Sequence, residues 1–224
     1  MPTTLYWMQC GGCSGDTMSV LNAESPDLIE LFQMLDIDLL WQPSLSNGTP
    51  NEHRNLLRRM LEGKQVLDIL CVEGAVLRGP SGTGMYQTFD GKPLKDILAR
   101  LAGMAKYIVA IGTCASFGGI SAMNESEAYG LQFLHYEKGG FLGETFKTQS
   151  GLPVINLPGC PCHPTVLTET LTVLIEGHEP ELNEYNVPLR WKKKYLAKKG
   201  VYFFTWGVRG LLRMVPVTKI CGIT

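Results

Sequence analysis

Two hydrophobic periods alternate along the chain. Residues Thr3–Gln9 (TTLYWMQ) form a short apolar run rich in β-formers and predict a strand. Residues Ile37–Trp41, 66–72, Tyr107–Ile111 and 152–157 predict four more. Between them, residues 14–22, 28–35, 51–61, 93–104 and 165–175 carry helical spacing. Ser14 and Asp16 are N-cap candidates for the first of these helices, and Gly177 closes the last. Residues 43–50, 78–91 and 118–151 are rich in Gly, Pro or polar residues and read as loops. Strands therefore alternate with helices, and several strands are uninterrupted apolar runs. That pattern predicts an α/β fold, a doubly wound parallel sheet covered on both faces.

The 224 residues are 45% hydrophobic and 18% charged, which is ordinary for a globular protein with a full core. Net charge is −1, yet its distribution is uneven. The 21 acidic residues all precede Asn186, together with 11 Lys/Arg, whereas the remaining nine Lys/Arg come after Tyr185 with no Asp or Glu among them. This predicts residues 1–185 as the main domain and 186–224 as a short basic C-terminal extension that docks something negative or stays solvated. No signal peptide and no membrane-spanning run is visible. The expectation is a cytoplasmic protein with at most peripheral membrane contact and no nucleic-acid partner.

Seven cysteines in such a chain argue for metal or redox duty over disulfides. Cys10 and Cys13 come after the first predicted strand, Cys114 after the fourth and Cys160 after the fifth. A doubly wound sheet gathers ligands beyond the carboxyl ends of its strands, so these loops converge. Four thiolates there suit an iron–sulfur cubane. Gly11, Gly12, Gly112, Gly118, Gly119 and Gly159 crowd the same loops and allow the close backbone approach a cluster needs. A zinc site and a thiol redox site remain open on these residues alone.

Cys10-Gly-Gly-Cys13-Ser14, Val72-Glu73-Gly74, Gly112-Thr113-Cys114-Ala115-Ser116-Phe117-Gly118-Gly119 and Pro158-Gly159-Cys160-Pro161 together resemble the small subunit of [NiFe] hydrogenases, over roughly residues 3–185. That family shares a flavodoxin-like domain with the cluster-bearing subunit of respiratory complex I, which has adjacent cysteines where this chain has C-x-x-C. The resemblance implies a flavodoxin-like iron–sulfur domain in which Cys10, Cys13, Cys114 and Cys160 ligate one proximal [4Fe–4S] cluster. It also implies a large subunit that holds the Ni–Fe centre and performs the H2 chemistry. Oxygen-tolerant members carry two further cysteines where this chain has Gly11 or Gly12 and Gly119, so an ordinary cubane is implied. Residues 199–210 resemble the family's distal-cluster segment with valine at ligand positions, making 186–224 a remnant of the second cluster domain. Electrons would leave by another route, and the basic tail would dock a further redox subunit or pack on the large subunit.

The other candidates have narrower readings. Cys71 reads as a buried thiol within a strand. Cys162 reads as a thiol near the cluster, and Cys221 has no assigned role. Glu73 is read as lining the cluster pocket, relaying protons or capping a helix. Thr113 and His163 are hydrogen-bond candidates toward the cluster. His53, His135 and His178 read as surface or loop histidines. Two other functions fit the same scaffold: a non-catalytic H2-sensing or assembly module, and a zinc-stabilised interaction protein.

Overall fold

The apolar runs become a five-stranded parallel sheet in the computed structural model, which describes residues 2–123 and 127–190. The strands are β1 (Thr3–Gln9), β2 (Ile37–Trp41), β3 (Ile69–Glu73), β4 (Tyr107–Ile111) and β5 (Ile155–Leu157). Their order across the sheet is β5-β4-β3-β1-β2. This is the flavodoxin-like doubly wound order, with its switch point between β1 and β3.

The helices are α1 (Gly15–Val20), α2 (Leu28–Met34), α3 (Pro50–Leu61), α4 (Leu94–Ala102), α5 (Gly112–Phe117) and α6 (Pro164–Ile175). Capping boxes start α2 at Asp27 with Glu30 and α3 at Thr49 with Glu52. The sheet has two buried faces because its side chains alternate. Tyr6, Met8, Leu70, Val72, Ile108 and Ala110 pack toward α3 and α4. Leu5, Trp7, Ile69, Cys71, Val109 and Ile111 pack toward α1, α2 and α6. Covering both faces is why these strands read as unbroken apolar runs. Cys71 is fully buried in the second face, as the sequence implied.

Three features depart from the sequence reading. Gly112-Thr113-Cys114 is not a loop: it is the first turn of α5, which adjoins β4 directly. His53 is half-buried rather than free at the surface. It lies on Trp41, with ring centroids 3.9 Å apart and planes 4° apart, and Phe89 meets its edge at 4.9 Å. Its Nε2 is 2.8 Å from the buried Tyr6 hydroxyl. Burial pulls its pKa down to about 4. Packing also continues past Tyr185: Asn186 and Val187 are buried, and the Asn186 carbonyl accepts from Asn156 N–H of β5 at 2.9 Å. From residue 191 the basic extension lies outside the described residues, as do residues 199–210 and Cys221. Among the described residues, no helix is long and apolar enough to cross a membrane.

Candidate metal centre

The carboxyl ends of β1, β3, β4 and β5 form one edge, and the loops leaving it are locked together. Cys10 N–H donates to the Glu73 carbonyl at 2.7 Å, and Gly11 and Ala75 exchange backbone bonds at 2.8 and 2.9 Å. Gly74 makes this possible: its φ is +88°, and a Cβ there would stand 2.8 Å from the Gly11 carbonyl carbon. The Val72-Glu73-Gly74 signature thus fixes the C-x-x-C loop against β3. Thr113 ties the first turn of α5 to the Cys160 loop. Its N–H donates to the Gly159 carbonyl at 2.8 Å, while its hydroxyl accepts from Gly159 N–H and donates to Gly159 O, both at 3.1 Å.

The edge gathers Cys13, Cys114 and Cys160, and with them Asp16. Cys114 is pushed up to about 11, first by burial and then by the charges of Cys160, Asp16 and Cys13; the Ile120 N–H opposes this. Cys160 is raised by burial, Asp16 and Cys13. Cys13, Cys160 and Asp16 therefore lie within electrostatic reach of Cys114, and each charged neighbour favours the neutral thiol there. Asp16 is raised to about 6 by burial, helped by the Glu73 charge and opposed by the Cys162 N–H, which donates to its Oδ1 at 2.6 Å. Its carboxylate presses on Gly112, where φ is +81° and a Cβ would collide with it. Among the described residues no three His, Cys, Asp or Glu side chains close on a single metal ion.

Cys10 shares the loop but its sulfur is not among these three. It is buried in the core face with Tyr6 and Met8, and burial alone raises its thiol to about 12. Its charged form acts on Tyr6, whose phenol is raised by burial and by that charge.

Glu73 is a buried brace. Its carboxylate accepts from Trp7 Nε1 at 3.1 Å, Asp16 N at 3.1 Å, Thr17 N at 3.0 Å and the Thr17 hydroxyl. Ser14, the N-cap of α1, makes no side-chain cap bond, so the carboxylate arriving from β3 takes over the orphaned N–H groups. His163 caps α6, its Nδ1 accepting from Thr165 N at 3.3 Å. Cys162 is fully buried beside α1 and α6, its carbonyl accepting from the Ser19 hydroxyl at 2.7 Å. Burial raises its thiol further than any partner does. Asp16 was visible in the sequence only as a capping candidate; its place three residues after Cys13 was the signal that it lies at the same edge.

A flavodoxin-like sheet that gathers Cys13, Cys114, Cys160 and Asp16 at its carboxyl edge defines the class of α/β protein with its candidate site at the strand ends. The family described as NADH ubiquinone oxidoreductase, 20 Kd subunit, matches residues 13–174, and the chain belongs to that family. The F420 non-reducing hydrogenase I small subunit of Methanosarcina mazei is 32% identical over 191 residues, 78% of this chain and 49% of that one. The periplasmic [NiFe] hydrogenase small subunit 1 of Nitratidesulfovibrio vulgaris is 31% identical over 83% of this chain and 53% of its own. Among solved structures, the actinobacterial-type NiFe-hydrogenase from Ralstonia eutropha H16 superposes with a TM-score of 0.71 at 27% identity, covering 84% of this chain and 58% of that chain. The chain spans about half the length of the curated relatives it matches.

Proposed function

We propose that this chain is the electron-transfer subunit of a [NiFe] hydrogenase, an oxidoreductase acting on H2, and carries electrons between a large subunit's Ni–Fe site and an acceptor. The observation that carries the reading is the convergence of Cys13, Cys114 and Cys160 on the carboxyl edge of a flavodoxin-like sheet, with Cys10 in the same C-x-x-C loop. The donor chemistry fits one [4Fe–4S] cluster, which takes four thiolates. The backbone leaves room beside them: a Cβ at Gly119 would stand 2.5 Å from the Cys114 sulfur.

Bound there, a cubane would supply a one-electron carrier. The chain's own residues do the rest. Cys13, Cys114 and Cys160 provide three thiolates from the edge. Cys10 would provide the fourth if its side chain turned out of the core face, from a loop that its own N–H already anchors to Glu73. The Ile120 N–H on Cys114 favours the charged form of that sulfur. Thr113 keeps the Cys114 and Cys160 turns in register, and Glu73 holds the N-terminus of α1 in place behind Cys13. Cys13 and Cys160 are exposed, as are Met18 of α1 and Ile120 just beyond α5. A large subunit seated on that edge would cover the ligands and receive the shortest electron path. The further redox subunit expected at the basic tail concerns residues outside the described ones.

The experiment has two arms. Anaerobic iron and sulfide content should fall in Cys10→Ser and survive in Asp16→Asn; the reverse pattern would make Asp16 the fourth ligand in place of Cys10. The complex co-purified with its large subunit should reduce a viologen dye with H2. A loaded cluster with no turnover would assign the chain to the sensing or assembly alternative.

A further inference from the structure

The backbone of Cys162 is gripped at both its polar groups by one face of α1. Asp16 Oδ1 accepts from Cys162 N–H at 2.6 Å, and the Ser19 hydroxyl donates to the Cys162 carbonyl at 2.7 Å. The two side chains stand three residues apart on α1, the spacing that makes neighbours on a helix surface. The Cys162 side chain is fully buried beside α1 and α6, which anchors the same turn from within. Asp16 also lies against Gly112, where a Cβ would collide with its carboxylate. One carboxylate therefore meets backbone two residues after Cys160 and two residues before Cys114, from a helix that starts just behind Cys13. Its charge reaches Cys114, Cys160 and Cys162 and disfavours the thiolate at each.

We propose that Asp16 is a positioning residue with two separable duties: with Ser19 it clamps the Cys160 turn to α1, and its negative charge lowers the reduction potential of the cluster held there. The second duty rests on the electron-transfer reading; the first does not. The clamp follows from geometry. Cys13 and Cys160 are both exposed and belong to loops distant in sequence, so their spacing depends on what joins those loops. Asp16 and Ser19 join them through the Cys162 peptide. The effect on potential follows from electrostatics. Reduction adds an electron to a body already ringed by thiolates, and a fixed anion nearby opposes it. Asp16 is only partly exposed, so salt and water screen it weakly. The duties separate chemically. Asparagine keeps an oxygen to accept the Cys162 N–H but carries no charge, whereas Ser19→Ala loosens the turn and leaves the charge in place.

The test compares the full wild-type chain with Asp16→Asn, Asp16→Ala and Ser19→Ala. Hydrogen exchange at the Cys162 amide, followed by mass spectrometry on the cluster-free chain, reads the clamp; Pro161 and Pro164 leave few other amides in that stretch. Exchange should be about tenfold faster in Asp16→Ala and Ser19→Ala than in the wild type, and little changed in Asp16→Asn. An unchanged rate in Asp16→Ala overturns the clamp. An EPR-monitored redox titration of the iron-loaded chain reads the charge, at about pH 8, above the value of about 6 to which burial lifts the Asp16 carboxyl. Asp16→Asn should favour the reduced cluster about tenfold at a given potential, which is about 59 mV for one electron, whereas Ser19→Ala should leave the midpoint in place. An unmoved midpoint in Asp16→Asn overturns the charge role. An equal shift in Ser19→Ala does so too, by tracing the change to a loosened turn. A chain that takes up no iron sinks the electron-transfer reading and the charge role with it, while the exchange measurement still decides the clamp.

Discussion

Glu73→Ala is the sharpest perturbation of the scaffold, because one buried carboxylate satisfies four donors. Its removal strands Trp7 Nε1, Asp16 N and Thr17 N and takes the partner of the Thr17 hydroxyl. An orphaned buried donor costs about 1–3 kcal/mol. Water entering the vacated space recovers part of that, so the net loss is about 4 kcal/mol. For a domain of this size, each 1 kcal/mol moves the midpoint by about 2–4 °C, so thermal unfolding monitored anaerobically by circular dichroism should show a drop of about 10 °C. Glu73→Gln keeps one acceptor oxygen but turns an NH2 toward donors, and should lose about half as much. The charge also sits at the start of α1, where removing it alone costs about 0.5 kcal/mol. A drop below about 2 °C in the alanine variant would refute the bracing role.

Three further outcomes rest on the same geometry. Thr113→Val should leave Gly159 N–H and C=O without their side-chain partner, lower stability by about 1–2 kcal/mol and speed iron loss to a chelator, with Thr113→Ser restoring both. Gly119→Ala would place a methyl 2.5 Å from the Cys114 sulfur at a φ of +59°, so anaerobic iron content should fall while the circular dichroism spectrum is retained. His53 has its folded pKa lowered to about 4 from 6.5, so the unfolded chain binds the extra proton first as pH falls. The stability His53 contributes is present above pH 6.5 and is lost as pH drops toward 4. Because the ring is half exposed, the loss between pH 7 and 5 is about 1 kcal/mol, and His53→Gln should flatten that part of the midpoint-versus-pH curve.

The sequence carried the sheet well because both faces of each central strand are covered, which leaves unbroken apolar runs such as Tyr107–Ile111. Asp27 and Thr49 start their helices with capping boxes whose partners lie three residues on, a signal that is local in sequence. What stayed hidden depends on contacts distant in sequence. Gly112 to Phe117 is mostly small or β-branched residues and reads as a turn, yet closure of the Cys160 loop through Thr113 winds it into α5. His53 falls on the polar side of its helix by spacing, but β2 and the segment holding Phe89 bring Trp41 and Phe89 around it. At the candidate centre, Cys13, Cys114 and Cys160 come together because three turns share one edge. Cys10 sits where the β1 alternation sends a side chain inward with Tyr6 and Met8, which C-x-x-C spacing alone does not reveal. Asp16 stands at the edge because the Cys162 N–H and the gap at Gly112 hold it there, from positions about a hundred residues away or more.

The central claim is that one iron–sulfur body is held where those turns meet. Iron, acid-labile sulfide and zinc measured on the anaerobically purified chain test it most directly. About four irons and four sulfides per chain are expected, with an EPR signal on reduction and no stoichiometric zinc. A colourless chain with about one zinc and no iron would contradict it.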